Sequence, residues 1–269
     1  MIDLTPKTLS LSHEGGVLTI RLSRPERRNA MSFQMVDELV AIFDRVGDQR
    51  DVRAIVLRGA GGHFCSGGDI RDMARARQAP PVDGVDALAV ANRRFGTMLQ
   101  QVEAAGQPVI AVCEGAVMGG GFGLACVADV TVVVEGARFR LPETSLGITP
   151  AQVMPFIVRR IGLTQARRLA VTGETLSAQQ AADVGIGHLY LESPDALFDT
   201  LSPILERIRR CAPDAVAATK RLALAVGTAP LDELLDEAAR DFAVRARGEE
   251  AAAGMAAFLQ KTSPPWVTG

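Results

Sequence analysis

Aromatic side chains make up only 4% of the 269 residues, with one Trp and one Tyr. Platforms that stack nucleobases need rows of rings, so the scarcity argues against that mode of binding. An excess of charge of one sign is missing too: 29 Lys and Arg face 31 Asp and Glu, for a formal net charge of −2. With no basic stripe, no nucleic-acid partner is expected. The four cysteines, at 65, 113, 126 and 211, form no Cys-x-x-Cys pair and none stands at metal-ligand spacing from a histidine, so no metal is expected. Long apolar runs are absent; Val130–Val134 is far too short to cross a bilayer, so no membrane partner is expected. The opening Met-Ile-Asp-Leu-Thr-Pro-Lys does not read as a signal peptide. The expectation is a soluble cytoplasmic protein in a reducing compartment, with Cys113 and Cys126 as buried thiols.

What the chain does have is length enough for a full core and a regular alternation of elements. Val17–Leu22, Ala54–Arg58, Pro108–Cys113, Val130–Val134 and Arg138–Leu141 read as short strands, several of them continuously apolar. Ser32 reads as the N-cap of a helix over Phe33–Val46. Continuously apolar strands between helices predict an α/β layout with much of the sheet covered on both faces. Beyond about residue 160 the chain reads as helix: Thr164–Thr172, Ser177–Val184 with a capping box at Ser177 and Gln180, Leu197–Cys211, Ala215–Val226 and Leu231–Arg247. The chain is therefore divided into an α/β core, residues 1–195, and a helical carboxy-terminal domain, residues 196–269. Met73–Asn92, with Pro80-Pro81, reads as a loop or loose helix over a site.

Gly119–Gly121 lies between a buried strand and an apolar helical run. Glycine lets a ligand approach the backbone closely, and a helix starting there points free N–H groups and its positive dipole end outward. Such a turn can hold a phosphate or a developing oxyanion. It does not have the G-x-G-x-x-G register of a dinucleotide site, because Leu124 and Cys126 stand where a further glycine is needed. The histidines at 13, 63 and 188 read as solvated loop residues, Asp129 as tying down a turn, and Arg27, Arg28, Arg71, Arg75 and Arg77 as a basic face.

Three separated segments now fall in order: Phe64-Cys-Ser-Gly-Gly-Asp-Ile70, Gly115-Ala-Val-Met-Gly-Gly-Gly121 and Phe139-Arg-Leu-Pro-Glu-Thr-Ser-Leu-Gly-Ile-Thr-Pro150. With Arg24-Pro25 and Asn29-Ala30, they resemble the crotonase superfamily, the enoyl-CoA hydratase/isomerase proteins, from about Leu18 to Lys261. The resemblance implies a crotonase-like spiral of ββα units with a helical carboxy-terminal trimerisation domain, assembled as a homo-trimer or dimer of trimers. It implies an acyl-CoA thioester substrate and no cofactor beyond the coenzyme A that the substrate carries. By position, the N–H groups of Gly68 and Gly120 would hold the thioester oxyanion, and Glu143 would be the acid/base. Ser66 and Ile70 would flank adenine and pantetheine, and Arg28 and Arg71 would meet CoA phosphates. Asp69 falls among the CoA-facing positions, its side chain reading as a helix cap. Phe258 and Lys261 match a carboxy-terminal pair that reaches a CoA, in some members of a neighbouring subunit. The acyl pocket is expected between the 73–95 segment and the carboxy-terminal helices.

One position departs from the pattern. Hydratases of this family carry a second glutamate two residues after the triple glycine, and here that residue is Gly123. Three readings follow: a hydratase whose water is activated by another group, a Δ3-Δ2 enoyl-CoA isomerase working with one glutamate, or a non-catalytic acyl-CoA-binding scaffold. Gly-Gly-Gly-Phe-Gly-Leu-Ala-Cys, Leu-Pro-Glu-Thr-Ser-Leu-Gly-Ile and Gly-Leu-Thr-Gln-Ala-Arg-Arg-Leu-Ala look like isohexenylglutaconyl-CoA hydratases of acyclic terpene breakdown. That similarity implies a 3-branched glutaconyl thioester, with Gly123 relieving like-charge repulsion against the substrate carboxylate and leaving room for the branch.

Overall fold

The computed structural model describes residues 4–47 and 49–267. The amino-terminal reading at residues 1–3, and positions 268–269 of the second segment, lie outside them. In chain order the elements are β1 (Leu9–Glu14), β2 (Val17–Leu22), α1 (Phe33–Val46), β3 (Ala54–Gly59), α2 (Ile70–Gln78), α3 (Ala87–Ala104), β4 (Val109–Cys113), β5 (Ala116–Met118), α4 (Gly120–Cys126), β6 (Val130–Val134), β7 (Arg138–Arg140), α5 (Met154–Thr172), β8 (Thr175–Ser177), α6 (Ala178–Asp183), β9 (Leu189–Leu191), α7 (Leu197–Arg210), α8 (Pro213–Ala225), α9 (Leu231–Ala246) and α10 (Glu249–Gln260).

The main sheet has the order β1-β2-β3-β4-β6-β9. Its first pair is antiparallel and the other neighbours are parallel. Successive side chains of its central strands point to opposite faces, and both faces are buried. Ile55, Leu57, Val109, Ala111 and Cys113 enter the larger core with α1 and α3, whereas Val56, Ile110, Val112, Val132 and Val134 enter a second core. Leu201, Ile204, Leu205 and Ile208 of α7 close that second core. A chain division at 195/196 therefore falls just before a helix that still packs on the main sheet.

The smaller sheet, β5-β7-β8, forms a second layer. Single bridges, Met31 to Gly68 and Cys65 to Val117, extend its pattern into earlier turns of the chain. Each turn thus lays one strand in the main sheet, one short segment in the second layer, and a helix outside, as the ββα spiral expectation requires. At one point the backbone of α4 meets this second layer so closely that no side chain fits between. A Cβ on Gly121 would lie 2.6 Å from both the Cβ and the carbonyl oxygen of Cys65.

Three local readings change. The 73–92 segment is mostly helical: α2 runs to Gln78, and the Asp86 carboxylate accepts the Leu88 and Ala89 N–H groups at the start of α3. The alanines there favour helix, so only 79–86, around Pro80-Pro81, stays a loop. α5 begins ten residues earlier than read, bending at Gly162, whose φ of 75° breaks the helical register. The edge strand β1 and the final helix α10 were not read at all. The capping box at Ser177 and Gln180 is formed as expected.

Replacing Gly121 by Ala drives a methyl into the Cys65 backbone. The expected cost is about 1–3 kcal/mol, typical of an overpacked core. Urea denaturation should show a lower midpoint with an unchanged slope.

Candidate active site

The loop after β3 is built around a buried asparagine. Asn29 accepts the Arg24 N–H at 2.9 Å and donates to the carbonyls of Ala60 and His63 at 2.8 and 2.7 Å. His63, read as a solvated loop residue, is half-buried, and its Nδ1 accepts the Ala116 N–H at 3.1 Å. The ring thereby ties the loop to β5. The exposed His188 similarly accepts the Thr131 N–H at 3.0 Å. Asp129 accepts the Val109 N–H at 2.7 Å, so it does tie down a turn.

Asp69 closes the same loop. One carboxylate oxygen accepts the Arg71 N–H at 2.9 Å and caps α2; the other accepts from Arg24 at 2.8 Å. Burial alone would raise its pKa, but Arg24 and the backbone donors outweigh that and hold it below the usual carboxylate value. Asp69 is thus an ionised structural clamp at the site's edge.

The clamp presses one glycine turn onto another. Gly67 takes φ 100°, and a Cβ there would stand 3.3 Å from the Met118 carbonyl oxygen. The Gly68 nitrogen lies 4.0 Å from the place of a Cβ on Gly120. Gly120 opens α4, so its N–H has no intrahelical acceptor. Among the described residues neither the Gly68 nor the Gly120 N–H has a hydrogen-bond partner. Two free donors therefore face one small space.

Glu143 stands beside them. It follows Pro142 at the start of a single 3-10 turn, Glu143–Leu146. Its Oε1 lies 2.7 Å from the place of a Cβ on Gly119, and its Oε2 is buried without a partner. Burial pushes its pKa up, and a bond from its own backbone N–H only partly offsets this. An unpaired, desolvated carboxylate next to two free N–H groups suits proton transfer to or from a carbon whose neighbouring carbonyl is polarised.

These groups line a cavity of about 520 Å³. Of the residues singled out in the sequence, Arg28, Ser66, Gly68, Asp69, Ile70, Gly120 and Glu143 lie on its wall. Arg71, Phe258 and Lys261 do not; Arg71 and Lys261 are exposed, and Phe258 is 83% exposed. The carboxy-terminal helices contribute no wall residue either, contrary to expectation. The other half of that expectation holds, with Met73, Leu88 and Phe95 of the 73–95 segment on the wall, joined by residues 148–153 just ahead of α5. Sequence reasoning missed Arg140, Gln152, Val153 and Thr175, which also line the cavity.

Gly123 is buried and is not on the wall. A Cβ there would meet Val153 Cγ1 at 2.4 Å and its Cβ at 2.9 Å. The expected room for a substrate branch is therefore absent, because Val153 fills the place that a longer side chain would take. The buried Cys65 and Cys126 thiols, pushed up to about 12 by burial, offer no nucleophile.

Two outcomes follow. Gly123→Ala should destabilise the protein, and adding Val153→Ala should relieve much of that loss, a non-additivity readable in a double-mutant cycle. Glu143→Gln removes a carboxylate whose folded pKa exceeds its ordinary 4.5. Ionisation of Glu143 is unfavourable in the folded protein, so its penalty appears as pH rises above 4.5. The melting temperature of Glu143→Gln should match that of the wild type at low pH and exceed it at neutral pH.

Comparison with known proteins agrees with this geometry. The family model for enoyl-CoA hydratase/isomerase matches residues 12–269. A solved enoyl-CoA hydratase/isomerase from Marinobacter aquaeolei is 52% identical, with a TM-score of 0.94 over 97% of this chain and 100% of that one. AtuE of Pseudomonas aeruginosa is 53% identical, with a TM-score of 0.93 over the same shares. Among curated relatives, the enoyl-CoA hydratase ACTT6 of Alternaria alternata is 34% identical over 91% of this chain and 79% of its own length. The 2,3-dehydroadipyl-CoA hydratase of Escherichia coli is 29% identical over 95% of this chain and 97% of its own. The match spans nearly the whole chain, and so the protein is an enzyme of the enoyl-CoA hydratase/isomerase family, with the crotonase fold.

Proposed function

We propose that this enzyme adds water across the double bond of a 2-enoyl-CoA whose acyl group is a 3-branched glutaconyl, such as isohexenylglutaconyl-CoA in acyclic terpene catabolism. The carrying observation is the half-buried Glu143, its Oε2 enclosed and without a partner, near the free N–H groups of Gly68 and Gly120. The thioester oxygen accepts from both glycines, which spreads the electron pair released when water adds at C3. Glu143, in its protonated form, delivers a proton to the α-carbon of the resulting enolate, and the carboxylate left behind takes up the proton that water loses on adding at C3. A single preorganised oxyanion donor is worth roughly 3–4 kcal/mol in other enzymes.

The curated relatives give partial support for the substrate, since 2,3-dehydroadipyl-CoA is itself a thioester of a dicarboxylic acid. Coenzyme A would lie along Ser66 and Ile70, with its phosphates towards Arg28 and Arg71. Phe258 and Lys261 lie away from the cavity of their own chain and would reach the CoA of a neighbour. That fits a trimer or dimer of trimers joined through the domain of residues 196–269. Its helices leave Phe198, Phe242, Val244, Phe258 and Leu259 each more than 70% exposed, an apolar surface that subunit contact would cover.

A second reading has a specific observation behind it. With Val153 packed over Gly123 and Asp69 tied to Arg24, Glu143 is the carboxylate of the described wall that no cation engages, and double-bond migration needs only one base to move one proton. Incubation in isotope-labelled water separates the two. Label in the product of isohexenylglutaconyl-CoA or 3-methylglutaconyl-CoA, lowered about 10²–10⁴-fold by Glu143→Gln, is the expected result. A migrated double bond in a 3-enoyl-CoA, with no oxygen incorporated from water into any substrate, would mean an isomerase.

A further inference from the structure

Arg140 is the cavity's other cation besides Arg28, and nothing so far uses it. It ends β7, where its backbone carbonyl accepts the Gly119 N–H at 2.9 Å. Its residue therefore abuts the glycine over which the Glu143 carboxylate lies. The half-buried guanidinium donates to the Gly173 carbonyl at 2.8 Å and contacts Ser145 Oγ at 3.4 Å. Neither partner is charged, and among the described ion pairs Arg140 has none. Glu174, the nearest acid in sequence on β8's side, is already paired with Arg168. Glu143 is unpaired and so does not neutralise Arg140 either.

A guanidinium carries five N–H donors in a planar fork, and the neutral contacts engage few of them. Thr175 completes the arrangement. It is Arg140's direct cross-strand partner in the antiparallel β7–β8 pair, so both side chains project from the same face of the small sheet. Both line the cavity, and the exposed Thr175 hydroxyl has no hydrogen-bond partner among the described residues.

Position separates this cation from a phosphate-binding role. Arg28 stands behind Ser66, whose N–H donates to the Arg28 carbonyl at 3.0 Å. Arg140 instead joins the site at Gly119, through the bond its carbonyl accepts there, beside Glu143. Arg28 is thus tied to the strand end that leads to Gly68 and Arg140 to the one that leads to Gly120. If CoA lies on the Arg28 side, the acyl end lies on the other.

We infer that Arg140 and Thr175 form a subsite for a carboxylate carried by the acyl group, making Arg140 a specificity-determining residue. This rests on the glutaconyl reading above. The fork takes the two carboxylate oxygens and the threonine hydroxyl donates to one of them. A substrate lacking the carboxylate leaves the guanidinium without a counter-charge.

Binding of two non-reacting thioesters to the purified full-length protein tests this without turnover: glutaryl-CoA, and pentanoyl-CoA, which replaces the carboxylate by a methyl. Titration calorimetry should show wild type preferring glutaryl-CoA by about 10- to 100-fold, as a charge-assisted pair provides. Arg140→Gln should abolish the preference while leaving the Kd for pentanoyl-CoA unchanged. Arg140→Lys should keep part of it, and Thr175→Val should weaken glutaryl-CoA alone. No preference in wild type, a preference surviving in Arg140→Gln, or equal loss of both ligands in that variant would overturn the assignment. The hydratase reading fails separately, through absence of water addition while the binding preference persists.

Discussion

Everything in the site depends on two backbone turns meeting with no side chain between them. Gly67 rests against the Met118 carbonyl with a φ of 100° that a side chain would strain, and Gly121 lies against Cys65 at a separation that a Cβ would violate. Glycine costs conformational entropy on folding, and here that cost is offset by the sheet bridges on either side of the contact. Because the turns are held this way, their N–H groups stay free for a ligand instead of closing on each other. The Asp69–Arg24 pair and the buried Asn29 side chain fix the position of one turn; the start of α4 fixes the other.

Against that rigid frame Glu143 is held in an unfavourable state. Its Oε2 has no partner and its ionisation is disfavoured by burial. A carboxylate satisfied by an arginine would be more comfortable and less basic, so its lack of one suits the proton transfer proposed for it. Arg140 is close in the chain, yet its guanidinium contacts a backbone carbonyl and a hydroxyl rather than Glu143, with donors left over. Two groups of opposite charge lining one cavity without pairing is an arrangement that a ligand bearing both an acidic α-carbon and a distal anion would complete.

The carboxy-terminal helices divide between two tasks. α7 covers the second face of the main sheet and is part of the core. α9 and α10 bury little and leave Phe242, Val244, Phe258 and Leu259 exposed, the surface that the proposed subunit contact would cover.

The sequence by itself determined the central strands, since continuous apolar runs have only one comfortable place, between two covered faces. It also marked the glycine turns as a local pattern, whereas Glu143 stood out only through the resemblance of the segments around it, because a lone glutamate after a proline has many other uses. The weak edge strand β1 and the alanine-rich start of α3 were illegible for the opposite reason: exposed or small residues carry little periodicity, and packing decides their state. Gly123 shows the limit most clearly. Its identity was plain, but the consequence depended on Val153, thirty residues away, filling the space above it. Arg140 and Thr175 likewise became neighbours only through strand register. Tertiary structure alone decided which side chains share a cavity, because that is set by contacts between distant segments and not by any local propensity.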